Sequence, residues 1–315
     1  MAIPVITTTA GGLPVVDVTA TSPKLGLPVT EASNGRGIAV TKVAANGLPV
    51  TYSTVADYPP GTGAEATAFL ARTSGLDATH TSAYAALIDG LVADGVWPKF
   101  DVLHIYATQN TATAQLNLVS SSYPATLGGS ITFTADRGYT GDDGGQATFI
   151  NTGFNPATAP SPKYVQNSAH LSAWSLTSTP PSSGNPIMGY RGASINTLIY
   201  PVTGGNVAYF IINNAYGANV ANANSLGHYI ATRSAFNSVL GYRNGASFYT
   251  GSEASGAVQN INIFVLSDFN SNSGGHVESS ALQTAMASIG SSLTAIDVTN
   301  FYNRLRTYMT AVGVP

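Results

Sequence analysis

The chain has 315 residues, a length for roughly two domains, and 44% of them are hydrophobic, enough to fill a core. Only 9% are charged, against about 25% in an average soluble domain, which excludes a protein built of long solvated helices with charged wet faces. A formal charge of −3 with no basic run argues against a nucleic-acid surface, and the absence of cysteine excludes disulfides, thiol catalysis and thiolate metal sites, as suits folding in a reducing cytosol.

Met1 to Thr9 lack the basic and long apolar regions of a secretory signal, and no window approaches the ~18 apolar residues of a membrane span. Residues 1–58 carry an internal repeat. Gly12-Leu13-Pro14-Val15 recurs as Gly26-Leu27-Pro28-Val29 and Gly47-Leu48-Pro49-Val50, with a weaker copy at Gly37-Ile38-Ala39-Val40. Each copy reads as a turn glycine, an apolar residue, a proline and a short β-branched run. Proline removes a ladder donor, so these strands belong at edges, and the segment has too little apolar surface to fold alone. It reads as an extended β-arm that orders against a partner surface through Leu13, Pro14, Val15, Leu27, Pro28, Val29, Leu48, Pro49 and Val50; a flexible leader is the alternative.

Tyr58-Pro59-Pro60-Gly61 marks a boundary. A small α/β linker region is expected over 59–119. Ala64 to Arg72 forms a short helix, and Asp77 to Asp94 a stronger one. Tyr84, Leu87, Ile88, Leu91 and Val92 form one apolar stripe, Asp77 is the cap and Gly95 the left-handed stop. Phe100 to Tyr106 reads as a strand and Thr111 to Leu118 as a helical turn or two.

From about Ser120 short β-rich runs alternate with Gly/Asn/Ser/Pro clusters: Ser130–Ala135, Ala147–Asn151, Ala169–Leu176, Thr197–Val202, Val207–Asn213, His228–Thr232, Ser238–Tyr242 and Ile261–Leu266. Such spacing indicates a sandwich or barrel over 120–315. Asn244-Gly245, between Tyr242-Arg243 and Ala246 to Tyr249, is the strongest hairpin signal. The chain closes on one helix, capped by Thr294 with Asp297 at capping-box spacing. Val298, Phe301, Tyr302, Leu305, Met309 and Val312 form its buried stripe, and it is expected across an edge or end of the sandwich.

Two stretches carry a family resemblance. One is Phe133-Thr134-Ala135-Asp136-Arg137-Gly138-Tyr139-Thr140-Gly141-Asp142, continuing into Phe149 to Pro156. The other joins Tyr242-Arg243-Asn244-Gly245, Ile261 to Val265, and Ala287-Ser288-Ile289-Gly290-Ser291-Ser292-Leu293-Thr294. Together they resemble the concanavalin A-like (laminin-G-like) jelly-roll domains of tailed-phage and prophage virion proteins, over roughly residues 120–313. The Gly95-Val96-Trp97 patch and the N-terminal repeat are similar to what precedes the jelly roll in some of those proteins. The resemblance implies a mainly β chain with a C-terminal jelly-roll β-sandwich and a closing helix. It also implies a virion or adhesive role: a capsid decoration, head fibre, collar or tail fibre on a virion surface, made in the host cytoplasm. Expected partners are other virion proteins, host cell-surface glycans and further copies of the chain in a homo-oligomer.

Sugar recognition needs an aromatic face for the ring and planar polar groups for its hydroxyls. The candidates are Tyr190, Arg191, Tyr216, Tyr242, Arg243, Asn244 and Asn270, with Trp174, Asn219 and Tyr249 behind them; Tyr190, Arg191 and Tyr216 flank turns and are expected to be exposed. Trp174 sits mid-strand and is read as core. The chain is read as non-enzymatic. A glycan hydrolase would need two carboxylates flanking a cleft, and Glu253 and Glu278, the glutamates of the sandwich, both fall in loop-like stretches. The five histidines are dispersed and read as ordinary surface or half-buried residues. No cofactor is implied. Asp142-Asp143 on a glycine-rich loop is a Ca²⁺ candidate, weighed against an acidic solvated turn, and Asp268 to Asn272 is a second such loop. A free carbohydrate-binding module or lectin is the alternative to the virion protein.

Overall fold

A computed structural model describes residues 62–142, 148–178, 186–217 and 219–314. The repeat arm and its expected docking residues Leu13, Pro14, Val15, Leu27, Pro28, Val29, Leu48, Pro49 and Val50 lie outside them. The compact unit described below begins at Ala64.

Mainly β architecture is what forms: a two-sheet antiparallel sandwich with a closing C-terminal helix and a small helical segment before it. The first sheet runs β13 (Ala246–Gly251), β12 (Ser238–Arg243), β11 (Gly227–Ala235), β6 (Ala169–Ser175), β17 (Gln283–Gly290), β4 (Gly138–Thr140) and β3 (Thr132–Thr134), and β1 (Phe100–Ile105) also pairs with β17. The second runs β10 (Val220–Ala221), β9 (Val207–Asn214), β8 (Asn196–Tyr200), β7 (Met188–Arg191), β14 (Phe264–Val265), β5 (Phe149–Asn151) and β2 (Thr126–Gly128). β15 (Ser267–Asn270) lies parallel to β7 and antiparallel to β16 (Gly275–Ser279). Between the sheets, inward residues such as Leu171, Ala173, Tyr190, Phe210, Tyr229 and Ile289 form one core, as side-chain alternation requires.

Among the described residues four α-helices complete the unit: α1 (Ala64–Leu70), α2 (Ala78–Ala93), α3 (Thr111–Ala114) and α4 (Ala295–Ala311). Asp77 caps α2 by accepting from the His80 N–H, and Gly95 stops it at φ +69°. Phe69, Tyr84 and Tyr308 pack in sequence with tilted rings and join α1, α2 and α4. Gly90 sits mid-helix because a Cβ there would stand 2.6 Å from Arg304 Cδ; Arg304 crosses that gap to pair with Asp94 at 2.8 Å.

The closing helix departs from expectation. It lies over the outer face of the first sheet, where Phe301 meets Phe100 and His228 and Tyr302 stacks on Trp174. The middle of that sheet is therefore covered on both faces, and every residue of β6 is buried. Trp174 is core. Val92, placed in the apolar stripe of α2, is 37% exposed, and Tyr308, outside the expected stripe of α4, is fully buried. The boundary expected at 119/120 is not a structural division, because β1 hydrogen-bonds to β17 and α2 rests on α4. Other strands are shorter than their apolar runs: Ile261–Leu266 yields the two-residue β14, since Leu266 turns the chain at φ +63° before β15.

The Asn244-Gly245 hairpin forms as read, with φ +52° and +79° at its two central residues, the signature of a type I′ turn. Thr294 and Asp297 close the reciprocal capping box of α4, and Lys99 pairs with Asp297 at 2.6 Å. Thr294→Ala is expected to cost about 1 kcal/mol, read as a lower urea midpoint; an unchanged midpoint would show that Lys99 alone holds the helix start.

Candidate functional site

The outer face of the second sheet carries no helix among the described residues, and there the chain gathers its aromatic and charged side chains. β7, β8 and β9 alternate, so Tyr190, Ile199, Phe210 and Ile212 point to the core while Arg191, Leu198, Tyr200, Tyr209 and Ile211 share the other face. Tyr200 and Tyr209 are cross-strand partners, and their rings meet edge-on at 6.2 Å. Tyr216, in the loop after β9, stands at 87° to Tyr209, again at 6.2 Å, and remains 53% exposed. The parallel pairing of β15 to β7 puts Asn270 beside Arg191, so Asp268, two residues back, falls on the Arg191 face; Glu278 is its cross-strand partner.

Arg191 holds both carboxylates. Its Nε pairs with Asp268, and its Nη2 with Glu278 at 2.7 Å and with the Tyr200 hydroxyl. The Tyr200 hydroxyl also bonds Glu278 Oε2 at 3.1 Å. Asp268 is completely buried; its Oδ1 accepts from the Glu278 N–H at 3.0 Å. Burial raises its pKa, with Arg191 opposing, while Arg191 itself is held above the ordinary guanidinium range because Tyr200, Asp268 and Glu278 outweigh the cost of burial. Burial likewise raises the Tyr200 and Tyr216 phenols. The result is a shallow cleft of about 230 Å³ lined by Arg191, Tyr200, Thr203, Tyr209, Tyr216 and Glu278. Asn219 touches its rim, donating to the Tyr209 hydroxyl at 3.2 Å.

Of the residues nominated from sequence, Arg191 and Tyr216 meet here. Tyr190 does not: it is fully buried in the core, because consecutive strand residues face opposite sides and Arg191 takes the outer one. Tyr242, Arg243 and Asn244 belong to the first sheet and serve the fold. Tyr242 is buried; Arg243 lies over Tyr229 and Phe248 and bonds Asn222 and the Leu226 carbonyl; Asn244 accepts from the His228 N–H. The Asn270 side chain closes its own turn, accepting from the Asn272 N–H at 2.9 Å. Tyr249 and Glu253 bond each other at 2.6 Å, apart from the network of Glu278. Asp268 is committed to Arg191 rather than to a cation loop. Asp142 is exposed and Asp143 lies outside the described residues; among the described residues no three His, Asp or Glu side chains gather as a metal site.

Sequence reading missed Tyr200, Tyr209 and, as members of the binding cleft, Asp268 and Glu278. Strand alternation carries a signal for the two tyrosines, but the β7–β15 pairing that delivers the carboxylates leaves none. It also misjudged the histidines: His80, His104, His170 and His228 are all buried.

No family model and no curated protein matches the sequence. Solved structures with a similar course of chain include domain 4 of an extracellular arabinanase from Geobacillus stearothermophilus in complex with arabinotriose, at 13% identity and TM-score 0.43 over 64% of this chain and 98% of that one. A Trypanosoma rangeli sialidase mutant displaying trans-sialidase activity aligns at 8% identity and TM-score 0.48 over 72% and 39%. The botulinum neurotoxin serotype D binding domain aligns at 12% identity and TM-score 0.44 over 68% and 52%. The chain thus spans about half or less of the last two.

Proposed function

We propose that this chain is a non-catalytic carbohydrate-binding display protein of a phage-like particle, with the sandwich presenting the Tyr216 cleft outward and the Gly-Leu-Pro-Val arm docking on other virion proteins. One observation carries the binding reading: an exposed tyrosine ring lines an open cleft together with an arginine–carboxylate pair, on a sheet face that no described helix covers. The ring supplies a platform for the apolar side of a pyranose, and Arg191 and Glu278 supply fixed planar groups for its hydroxyls. Their mutual pairing holds both in place before a ligand arrives, which lowers the ordering cost of binding. The same pairing works against hydrolysis. The common two-carboxylate route of glycoside cleavage needs both carboxylates open to the sugar, and Asp268 is sealed behind Arg191 and Tyr200, which leaves Glu278 as the one carboxylate lining the cleft. The particle setting rests on the sequence resemblance and the repeat arm.

Tyr216→Ala is expected to weaken glycan binding tenfold or more in titration calorimetry, as removal of a central aromatic anchor does, while the melting temperature moves by less than about 2 °C because the ring is mostly in solvent. Unaltered affinity for every bound glycan would end the binding reading. The particle setting is tested separately: an antibody to this chain should label purified phage-like particles from the source cells, and unlabelled particles would end it.

A further inference from the structure

We infer that the Tyr216 cleft takes glycans without acidic groups and discriminates against sialylated or sulfated ones. The inference rests on the binding reading above and adds the ligand class. It comes from the charges that meet at the cleft. Arg191 brings one positive charge; Asp268 and Glu278 bring two negative ones. Asp268 stays ionised in place because both of its oxygens are acceptors: Oδ1 takes the Glu278 N–H, and Oδ2 takes the Arg191 guanidinium. A proton on either oxygen would face a donor. Every other lining group, Tyr200, Thr203, Tyr209 and Tyr216, is neutral. The net charge of the cleft is therefore −1.

Position sharpens the effect. Arg191 is turned inward, its Nε on the buried Asp268, and its side chain is 20% exposed; the Glu278 side chain is 32% exposed. A bound sugar meets the carboxylate at least as readily as the guanidinium. A sugar hydroxyl can donate to Glu278, whereas a carboxylate or sulfate offers only acceptors and a second negative charge. The like-charge contact at an aromatic-walled surface is screened less than in bulk water.

The test uses the full chain on an array of matched glycans, each core present as its neutral, sialylated and sulfated form, at low and at about 0.5 M salt. Neutral forms should bind at least tenfold tighter than their acidic counterparts at low salt, and the gap should narrow at high salt. Glu278→Gln removes the excess charge and keeps the shape, so it should shrink the gap to threefold or less. Acidic glycans bound as tightly as neutral ones, with that binding abolished by Tyr216→Ala, would overturn the inference and leave the cleft a binding site. Binding that survives Tyr216→Ala on all forms, or no binding at all, would instead remove the reading on which the inference stands.

Discussion

Lowering the pH from 7 to 5 is expected to cost the folded unit about 5 kcal/mol, because three imidazoles inside it cannot accept a proton where they sit. Burial pushes the pKa of His104 to about 4, of His170 to about 4 and of His228 to about 3. Their surroundings explain why. His170 donates to the Ser291 carbonyl at 2.6 Å and has Ser288 on its other nitrogen; His104 has the Tyr123 carbonyl at 3.1 Å; His228 has Ser172 on Nε2 and nothing on Nδ1. None has a carboxylate within hydrogen-bond reach. In the unfolded chain each titrates near 6.5. The folded pKa is the lower one, so the stability these groups contribute is complete above about pH 6.5 and is lost as the pH falls toward 4. One such group loses ~2 kcal/mol between pH 7 and 5, and three together approach the whole stability of a marginal domain.

His80 acts in the opposite sense. Burial works against its charge, but Asp136 and Asp77, at 2.7 and 2.8 Å on its two nitrogens, raise its pKa. Its contribution is complete below about pH 6.5 and is lost as the pH rises through the folded value, so it places the stability maximum near neutrality without protecting the acid side. Urea denaturation at pH 7, 6 and 5 reads the effect, and His228→Phe should lower the mean slope over that range by about 1 kcal/mol per pH unit. A midpoint constant across that range would refute the burial account.

The second large effect sits at Arg233. It is fully buried, and all five of its N–H donors are used: Nε on the Ile212 carbonyl, Nη1 on the carbonyls of Ala235 and Phe236, Nη2 on Asn214 Oδ1 and the Glu253 carbonyl. Ile212 and Asn214 lie on β9 and Arg233 on β11, so one side chain ties the two sheets together. Arg233→Met keeps much of the volume but strands several buried acceptors, at ~4 kcal/mol, a fall of roughly 10 °C in melting temperature for a unit of this size. Arg233→Lys, with three donors and no planar fork, should fall between. Calorimetry of Arg233→Met within about 1 kcal/mol of the parent would mean that water replaces the guanidinium and that the tie is not structural.

Local chemistry was legible in the sequence. The Asp77 cap and Gly95 stop of α2, the Thr294–Asp297 box of α4 and the Asn244-Gly245 hairpin each depend on residues within a few positions of one another, and all formed as read. The alternation of short β-rich runs announced the sandwich for the same reason. Strand ends were less legible, because a strand stops where its partner does. The site was half legible: Arg191 and Tyr216 were nominated as single residues, yet Tyr190 was nominated beside them and is core.

The set of elements and the character of each face were thus readable from neighbouring residues, because helix caps, turn conformations and side-chain alternation are local properties. Which faces met was settled by long-range packing alone. α4 covering the first sheet sealed His228 under Phe301 and Tyr302, while no described helix lies on the outer face of the second. The parallel seam of β15 on β7 carried Asp268 and Glu278 to Arg191 across more than 70 residues of chain. Contacts at that separation are set by how whole layers pack to bury apolar area, and no short window of sequence encodes that free energy.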